Sequence, residues 1–138
     1  MIDVSKGVPG VNAPKPTSYR EFWPYYLSQH LHPMTEKVHA AATTGAVATF
    51  LAALATRRWR MLGLSPLVAY GPAFASHFIW EGNKPVTLQG NPFWAMRADF
   101  EMVFKVFTGR IETEVRAIRE GLAAGAASDA PSRLRASA

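Results

Sequence analysis

Two long uncharged runs constrain the fold of this 138-residue chain more than any other feature of its sequence. Residues 40–56 are 17 positions without a charge, and residues 61–80 are 20 more in which His77 is the one side chain that titrates near neutral pH. A helix that crosses a bilayer needs about 17–25 mostly apolar residues. A basic turn that includes Arg57, Arg58 and Arg60 joins the two runs. The pattern predicts a membrane helical hairpin built from two apolar helices.

Local start signals indicate further helices around this hairpin. Ser18 and Glu21 have the spacing of a capping box, which predicts a helix that begins directly after Ser18. Pro33 fits the first position of the first hairpin helix, and Asn91 followed by Pro92 predicts another helix start. We therefore expect an all-α fold, in which flanking amphipathic or interfacial helices accompany the hairpin.

The chain is expected to divide into three parts. Residues 1–17 contain three prolines and two glycines, which predicts an irregular leader. Residues 18–110 form the predicted membrane helical domain. Residues 111–138 predict a short helix that gives way after Gly121 to a disordered tail rich in alanine, glycine, serine and arginine.

The helix expected after Pro92 has two unlike faces. Arg97, Glu101 and Lys105 form a charged stripe on one face. A helix of this kind is able to lie on a membrane surface or to pack against the hairpin. The apolar side chains of the opposite face recur at helical spacing, at Phe93, Met96, Phe100, Val103, Phe104 and Phe107.

Charge and cysteine content narrow the choice of partners. The net charge is +5, and basic residues such as Lys37 lie at the ends of the apolar runs. This placement suits anionic lipid headgroups better than a nucleic-acid-binding face. We expect an integral membrane protein that does not bind nucleic acid, located in the cytoplasmic membrane if bacterial and in the endoplasmic reticulum if eukaryotic. The absence of cysteine excludes disulfides, iron–sulfur clusters and thiolate zinc sites.

All four histidines, His30, His32, His39 and His77, are candidate metal ligands, and three of them are expected to converge. A lone histidine is most often structural or on the surface. His30 ends the first predicted helix, His39 lies within two turns of the start of the next, and His77 lies near the far end of the hairpin. Because a hairpin brings its two ends to the same side, these side chains converge near one membrane interface. An ionisable residue at membrane depth is a functional candidate.

Two carboxylates are candidates for the same site. Glu81 lies four residues after His77 and therefore on the same helical face, where it would ligate a metal or orient a histidine ligand. Asp99 lies at the edge of an apolar face and needs a partner, either at the site or in a salt bridge. Neutral imidazoles suit iron, zinc, copper or nickel, so the residue types leave the metal open.

Four sequence blocks resemble the Mpo-like proteins, a family named for the metabolism of phytosphingosine to odd-numbered fatty acids. The blocks are residues 22–30 (FWPYYLSQH), 39–44 (HAAATT), 70–87 (YGPAFASHFIWEGNKPVT) and 92–102 (PFWAMRADFEM). The resemblance extends over residues 18–110. The family carries glutamate where this chain has Gln29, and His32 falls at a position that is expected to vary. The resemblance therefore leaves His30, His39 and His77 as the expected metal ligands.

The resemblance implies a membrane-embedded iron(II) dioxygenase that shortens a long-chain 2-hydroxy fatty acid by one carbon, an α-oxidation. The hydroxyl and carboxylate of the substrate would chelate the iron beside dioxygen, without 2-oxoglutarate. Lys84 would pair with the carboxylate. The expected catalytic residues are Glu81 and Asp99, and the expected substrate-binding residues are Lys84, Asn83, Tyr26 and Tyr70.

Two other functions remain open from the residues alone. Zinc at the same histidines would activate water, with Glu81 as the base of a hydrolase that acts on a lipid. The chain would otherwise be a non-enzymatic membrane module that holds a haem or a metal.

Overall fold

A computed structural model of the chain describes residues 16–136, with side chains as far as Gly125. The all-helical fold class is confirmed, since no strand occurs within these residues. Most of the predicted leader lies outside them. A 3₁₀ segment at Trp59–Gly63, a π-helical turn at His77–Glu81 and a 3₁₀ segment at Val86–Leu88 lie between the main helices. The α-helices are α1 (Tyr19–Ser28), α2 (Pro33–Thr56), α3 (Leu64–Ser76), α4 (Pro92–Phe107) and α5 (Ile111–Ala136).

The predicted helix starts are confirmed. The Ser18 hydroxyl accepts a hydrogen bond from the backbone N–H of Glu21 at 3.3 Å, which caps α1. The Asn91 side chain accepts from two backbone N–H groups of the first turn of α4. Pro33 and Pro92 occupy the first positions of α2 and α4, where the missing proline N–H would have no helical partner.

Helices α2 and α3 pack as an antiparallel pair. The Ser65 hydroxyl donates to the backbone oxygen of Ala46 at 2.8 Å, and the His39 and His77 ring centroids lie 5.3 Å apart, so positions late in one helix meet positions early in the other. A Cβ on Gly45 would lie 3.3 Å from Val68. The small residue at Gly45 therefore permits the close approach of the two helices.

The second apolar run does not form one long helix. It begins with the Trp59–Gly63 3₁₀ segment, continues as the 13-residue α3 and ends in the π-helical turn. Within the described residues, α2 alone is long and apolar enough to cross a membrane. The hairpin of the sequence prediction is thus present as a packed helix pair, with one helix of spanning length instead of two.

The charged stripe of α4 faces the protein. The Tyr19 hydroxyl donates to Glu101 at 2.7 Å, and Lys105 pairs with Glu101 and with Glu114 of α5, each at 2.8 Å. The Arg97 guanidinium lies 3.8 Å from the centre of the Tyr19 ring. Helices α1 and α5 therefore cover the polar side of α4. Their shared core includes Phe22, Trp23, Tyr26, Leu27, Ala98, Met102, Ile111, Val115 and Ile118.

The apolar face of α4 is turned outwards instead. Phe93 is 74% exposed and Phe107 71% exposed, and Phe100 and Phe104 are also exposed. The other exposed large apolar side chains lie on α2, α3, at Met96 of α4 and in the segments between these helices, with none on α1 or among the described side chains of α5. An apolar surface of this extent marks a site of contact with a membrane or another apolar partner. The sequence left open whether this face packs against the hairpin or lies on a membrane surface. In the structure it faces outwards.

Helix α5 is longer than the sequence predicted. It continues past Gly121 to Ala136, where a disordered tail was expected. Alanine has the highest helix propensity of all residues, and the alanine-rich composition of this segment favours continuation of the helix begun at Ile111. Residues 137–138 lie outside the described part of the chain.

Candidate metal centre

Three buried histidines from three different segments meet at one point. His30 follows α1, His39 lies in the second turn of α2, and His77 opens the π-helical turn after α3. One ring nitrogen from each lies within 4.8 Å of the others. The ring planes are nearly perpendicular, at 76–89° to one another. The structure thus brings together the three histidines that the sequence singled out.

In each histidine one ring nitrogen points away from the other two histidines, and we call it the outer nitrogen. The outer nitrogen of His30 is held by a hydrogen bond to the last turns of α1. Its Nδ1 lies 2.7 Å from the backbone oxygen of Tyr26, which can only accept, so Nδ1 carries the proton. The Tyr26 ring stacks on the imidazole with centroids 4.0 Å apart. Burial, and then the neighbouring His39 and His77, hold the pKa of His30 well below its usual value. The ring is therefore neutral, with a lone pair on Nε2.

The outer nitrogen of His39 is fixed by a carboxylate. Its Nδ1 lies 3.0 Å from Asp99 Oδ1, and the same oxygen accepts a short hydrogen bond from the Tyr26 hydroxyl. Burial, and then the charge of Asp99, raise the pKa of Tyr26 well above its usual value, so the phenol keeps the proton that it donates. Asp99 does find the partner its position required, and that partner is a histidine of the cluster.

The outer nitrogen of His77 is fixed by an amide. Its Nδ1 lies 2.7 Å from Asn83 Oδ1, and the Asn83 Nδ2 donates to the backbone oxygen of Gln29 at 3.1 Å. Gly82 makes this return possible, because its φ of +67° lies in the left-handed region and reverses the chain after the π-helical turn. A π-helical turn inside a helix is frequent at functional sites.

The remaining nitrogens are the candidate metal ligands. With each Nδ1 engaged, the three Nε2 atoms face the centre, and those of His30 and His39 are buried without a hydrogen-bond partner. An unpaired buried nitrogen is costly. Metal-bound histidines characteristically donate their other N–H to a carbonyl, carboxylate or amide, as all three do here. The donor set therefore fits a divalent metal ion that prefers neutral nitrogen ligands.

A small cavity, with room for about one water molecule, opens beside the histidines. Its hydroxyl-bearing wall residues are Tyr26, Tyr70 and Thr87, and its acid is Asp99. Phe74, Ala73, Pro85 and Val86 complete the lining, which contains no lysine or arginine within the described part of the chain. The cavity therefore offers hydroxyl groups and apolar walls around the three free nitrogens.

Comparison with known protein families shows to which family the chain is related. Residues 16–111 match the family model described as 2-hydroxy-palmitic acid dioxygenase Mpo1-like. The chain belongs to the Mpo1-like family. The resemblance of the four sequence blocks is thereby confirmed. No curated protein and no solved structure is significantly similar to the chain.

The family description names a dioxygenase of a 2-hydroxy fatty acid. The Mpo1-like chain is thus related to dioxygenases of lipid metabolism, and its three buried histidines are compatible with a metal-dependent enzyme of that kind.

Glu81 and His32 of the Mpo1-like chain lie outside the cluster. The Glu81 carboxylate accepts a hydrogen bond from the backbone N–H of His32 at 2.7 Å, which ties the π-helical turn to the start of α2. The His32 Nδ1 accepts from Met34 N at 3.2 Å and caps α2. Glu81 lies four residues after His77 in the π-helical turn, and its carboxylate is bonded to His32 instead of to a histidine of the cluster.

The four expected substrate-binding residues separate into two groups. Tyr26 and Tyr70 line the cavity, as expected. Lys84 is exposed and does not line it, and Asn83 holds His77 instead. Sequence reasoning missed Gln29 as the anchor of Asn83. Its position directly before His30 was the available signal.

Proposed function

We propose that the protein is an iron(II)-dependent dioxygenase that converts long-chain 2-hydroxy fatty acids into acids one carbon shorter. The observation that supports this best is the convergence of three buried imidazoles with free Nε2 atoms in a member of the Mpo1-like family. Dioxygen and the 2-hydroxy acid are the two substrates.

The proposed reaction balances without a further reductant. A 2-hydroxy acid RCH(OH)COOH and O₂ give RCOOH, CO₂ and H₂O. Oxidation of the hydroxyl-bearing carbon to a carboxyl and release of the original carboxyl as CO₂ supply four electrons, which is the number that reduction of O₂ to the level of water requires. No 2-oxoglutarate is therefore needed.

The residues around the cavity have distinct tasks in this proposal. His30, His39 and His77 would hold the ion through one nitrogen each. A bound ferrous ion would supply a chelation point for the hydroxyl and carboxylate oxygens and the means to activate dioxygen. Asp99 orients His39 and offsets one of the two positive charges of the ion, so the site matches the single negative charge of the substrate.

The hydroxyl groups take over the role first expected of Lys84. Tyr70 and Thr87 line the cavity and would bring hydroxyls to a bound carboxylate or hydroxyl, whereas the Tyr26 hydroxyl donates to Asp99. The low polarity of the other walls strengthens such hydrogen bonds and limits the entry of water.

The geometry favours the dioxygenase over both alternatives. A hydrolase would use Glu81 as base, but that carboxylate is bonded to the backbone of His32. A haem would need far more room than the small cavity beside the histidines provides.

We also propose that the protein is embedded in a membrane through α2, with the exposed apolar faces of α3 and α4 in the lipid. Helix α2 has the length and composition to span a bilayer, and the outward phenylalanines of α4 would otherwise face water. A long-chain substrate dissolved in the same membrane would then reach the cavity without crossing water.

Anaerobic purification in detergent followed by metal analysis tests the proposal. We expect one iron per chain, lost on replacement of His30, His39 or His77 by alanine. His32→Ala is the matched control, because this histidine caps α2 outside the cluster. Metal lost in His32→Ala but retained in His77→Ala would overturn the ligand assignment, and stoichiometric zinc with hydrolysis of a lipid ester would overturn the reaction.

A further inference from the structure

The cavity beside the histidines is too small for the whole proposed substrate. Pockets that enclose a drug-sized ligand measure about 300–1,000 Å³, whereas this cavity has room for about one water molecule. In the proposed function the hydroxyl and carboxylate of a 2-hydroxy acid bind at this point, beside the histidines that line the cavity. The rest of a long alkyl chain must leave the cavity along an apolar surface.

Helix α3 provides such a surface. The cavity residues of α3 are Tyr70, Ala73 and Phe74, and together with His77, directly after the helix, they have the spacing of one helical face. One turn further from the histidines this face reaches Leu67, which is 65% exposed. Ten residues separate Leu67 from His77, so the face extends for about 15 Å.

The space beside this face of α3 has helices on its sides and is open along its length. Both α3 and α4 pack against α2, and they make little direct contact with each other. The cavity touches α3 at Phe74, α4 at Asp99 and α2 at His39, so it lies where all three helices meet. The space between α3 and α4 therefore continues the cavity.

We propose that the interval between α3 and α4, with α2 as its floor, binds the alkyl chain of the 2-hydroxy acid. The inference rests on the proposed function and adds the path of the chain. Tyr70 and Phe74, whose ring centroids are 5.6 Å apart, form the wall next to the cavity. Leu67 contacts the distal part of the chain and is the residue that determines the preference for chain length.

Substitution of Leu67 by tryptophan tests this path. The larger ring would cover the distal part of the interval, so kcat/KM for 2-hydroxyhexadecanoic acid should fall roughly tenfold, the effect of losing contact with about two methylene groups. The value for 2-hydroxyoctanoic acid, whose chain ends before Leu67, should stay within about twofold. For each substrate, the kcat/KM of the variant is divided by that of the wild type. This ratio removes the effect of substrate partition into detergent, which is the same for both proteins.

Leu64→Trp is the matched control. Leu64 is an exposed leucine of the same helix, but it lies about 120° around the axis from Tyr70. We expect it to leave both substrates unaffected. Equal losses for both chain lengths in Leu67→Trp, no loss in either, or the same pattern in Leu64→Trp would overturn the proposed path.

A second measurement tests the path of the alkyl chain independently of the proposed reaction. A 2-hydroxyhexadecanoic acid with a diazirine near its terminal carbon is irradiated with the metal-loaded protein, and the labelled peptides are mapped. Labelling around Leu67 that excess unmodified 2-hydroxyhexadecanoic acid removes supports the path even without turnover. Competed labelling confined to α1 or α5 would overturn it.

Discussion

Removal of the Asp99 carboxylate should weaken metal binding although no ligand is lost. Asp99 Oδ1 accepts from His39 Nδ1 at 3.0 Å. A hydrogen bond to a charged group contributes about 1.5–3 kcal/mol, which corresponds to roughly 10- to 150-fold in a dissociation constant. Loss of an outer partner of a metal-bound histidine typically costs about 10- to 100-fold. We expect Asp99→Ala to raise the metal Kd within this range.

The same substitution has a second effect, which a double variant can separate. Asp99→Ala removes the acceptor of the buried Tyr26 hydroxyl, and an unsatisfied buried hydroxyl costs about 1–3 kcal/mol of folding free energy. The double variant Tyr26→Phe with Asp99→Ala lacks the orphaned group. Its thermal stability should recover in part while its metal affinity stays low.

Competition of purified protein with a chromophoric chelator, under anaerobic conditions, measures the Kd, and thermal unfolding measures stability in parallel. Tyr26→Phe alone is the control, since it retains the bond between Asp99 and His39, and should bind metal within a few-fold of wild type. A wild-type Kd for Asp99→Ala would refute the role of Asp99. Recovery of both affinity and stability in the double variant would show that the loss came from misfolding.

Other substitutions test the remaining contacts. Asn83→Ala removes the acceptor of His77 Nδ1 and should raise the metal Kd roughly tenfold in the same competition assay; an unchanged Kd would contradict this. Glu81→Gln keeps an acceptor for the backbone N–H of His32 and should therefore retain the metal and turnover, measured by mass spectrometry. Total loss of activity would show that the Glu81 carboxylate takes part in the reaction.

The parts of the fold that were predictable depend on local chemistry. The caps at Ser18 and Asn91 act within one helical turn, so their sequence signals suffice. The meeting of His39 and His77 followed from the antiparallel geometry of two adjacent helices. In each of these cases the relevant partners are close in sequence or joined by a short connection.

The features that sequence reasoning missed depend on distant partners or on an irregular backbone. Glu101 bonds to Tyr19, 82 positions away, so no local pattern revealed that the charged face of α4 would turn inwards. The π-helical turn at His77–Glu81 was not predicted, and Glu81 accepts a hydrogen bond from the backbone of His32, 49 positions away. Lys84 is a local neighbour of Asn83, yet the reversal at Gly82 leaves one exposed and the other against His77.

Oxygen stoichiometry during turnover tests the central claim most directly. Iron-loaded protein is supplied with 2-hydroxyhexadecanoic acid, with or without dioxygen, and oxygen uptake is measured beside the chain length of the product. We predict one O₂ consumed for each pentadecanoic acid formed, no effect of 2-oxoglutarate, and no reaction with hexadecanoic acid, which lacks the second chelating oxygen. Equal product without dioxygen, or equal turnover of hexadecanoic acid, would contradict the account.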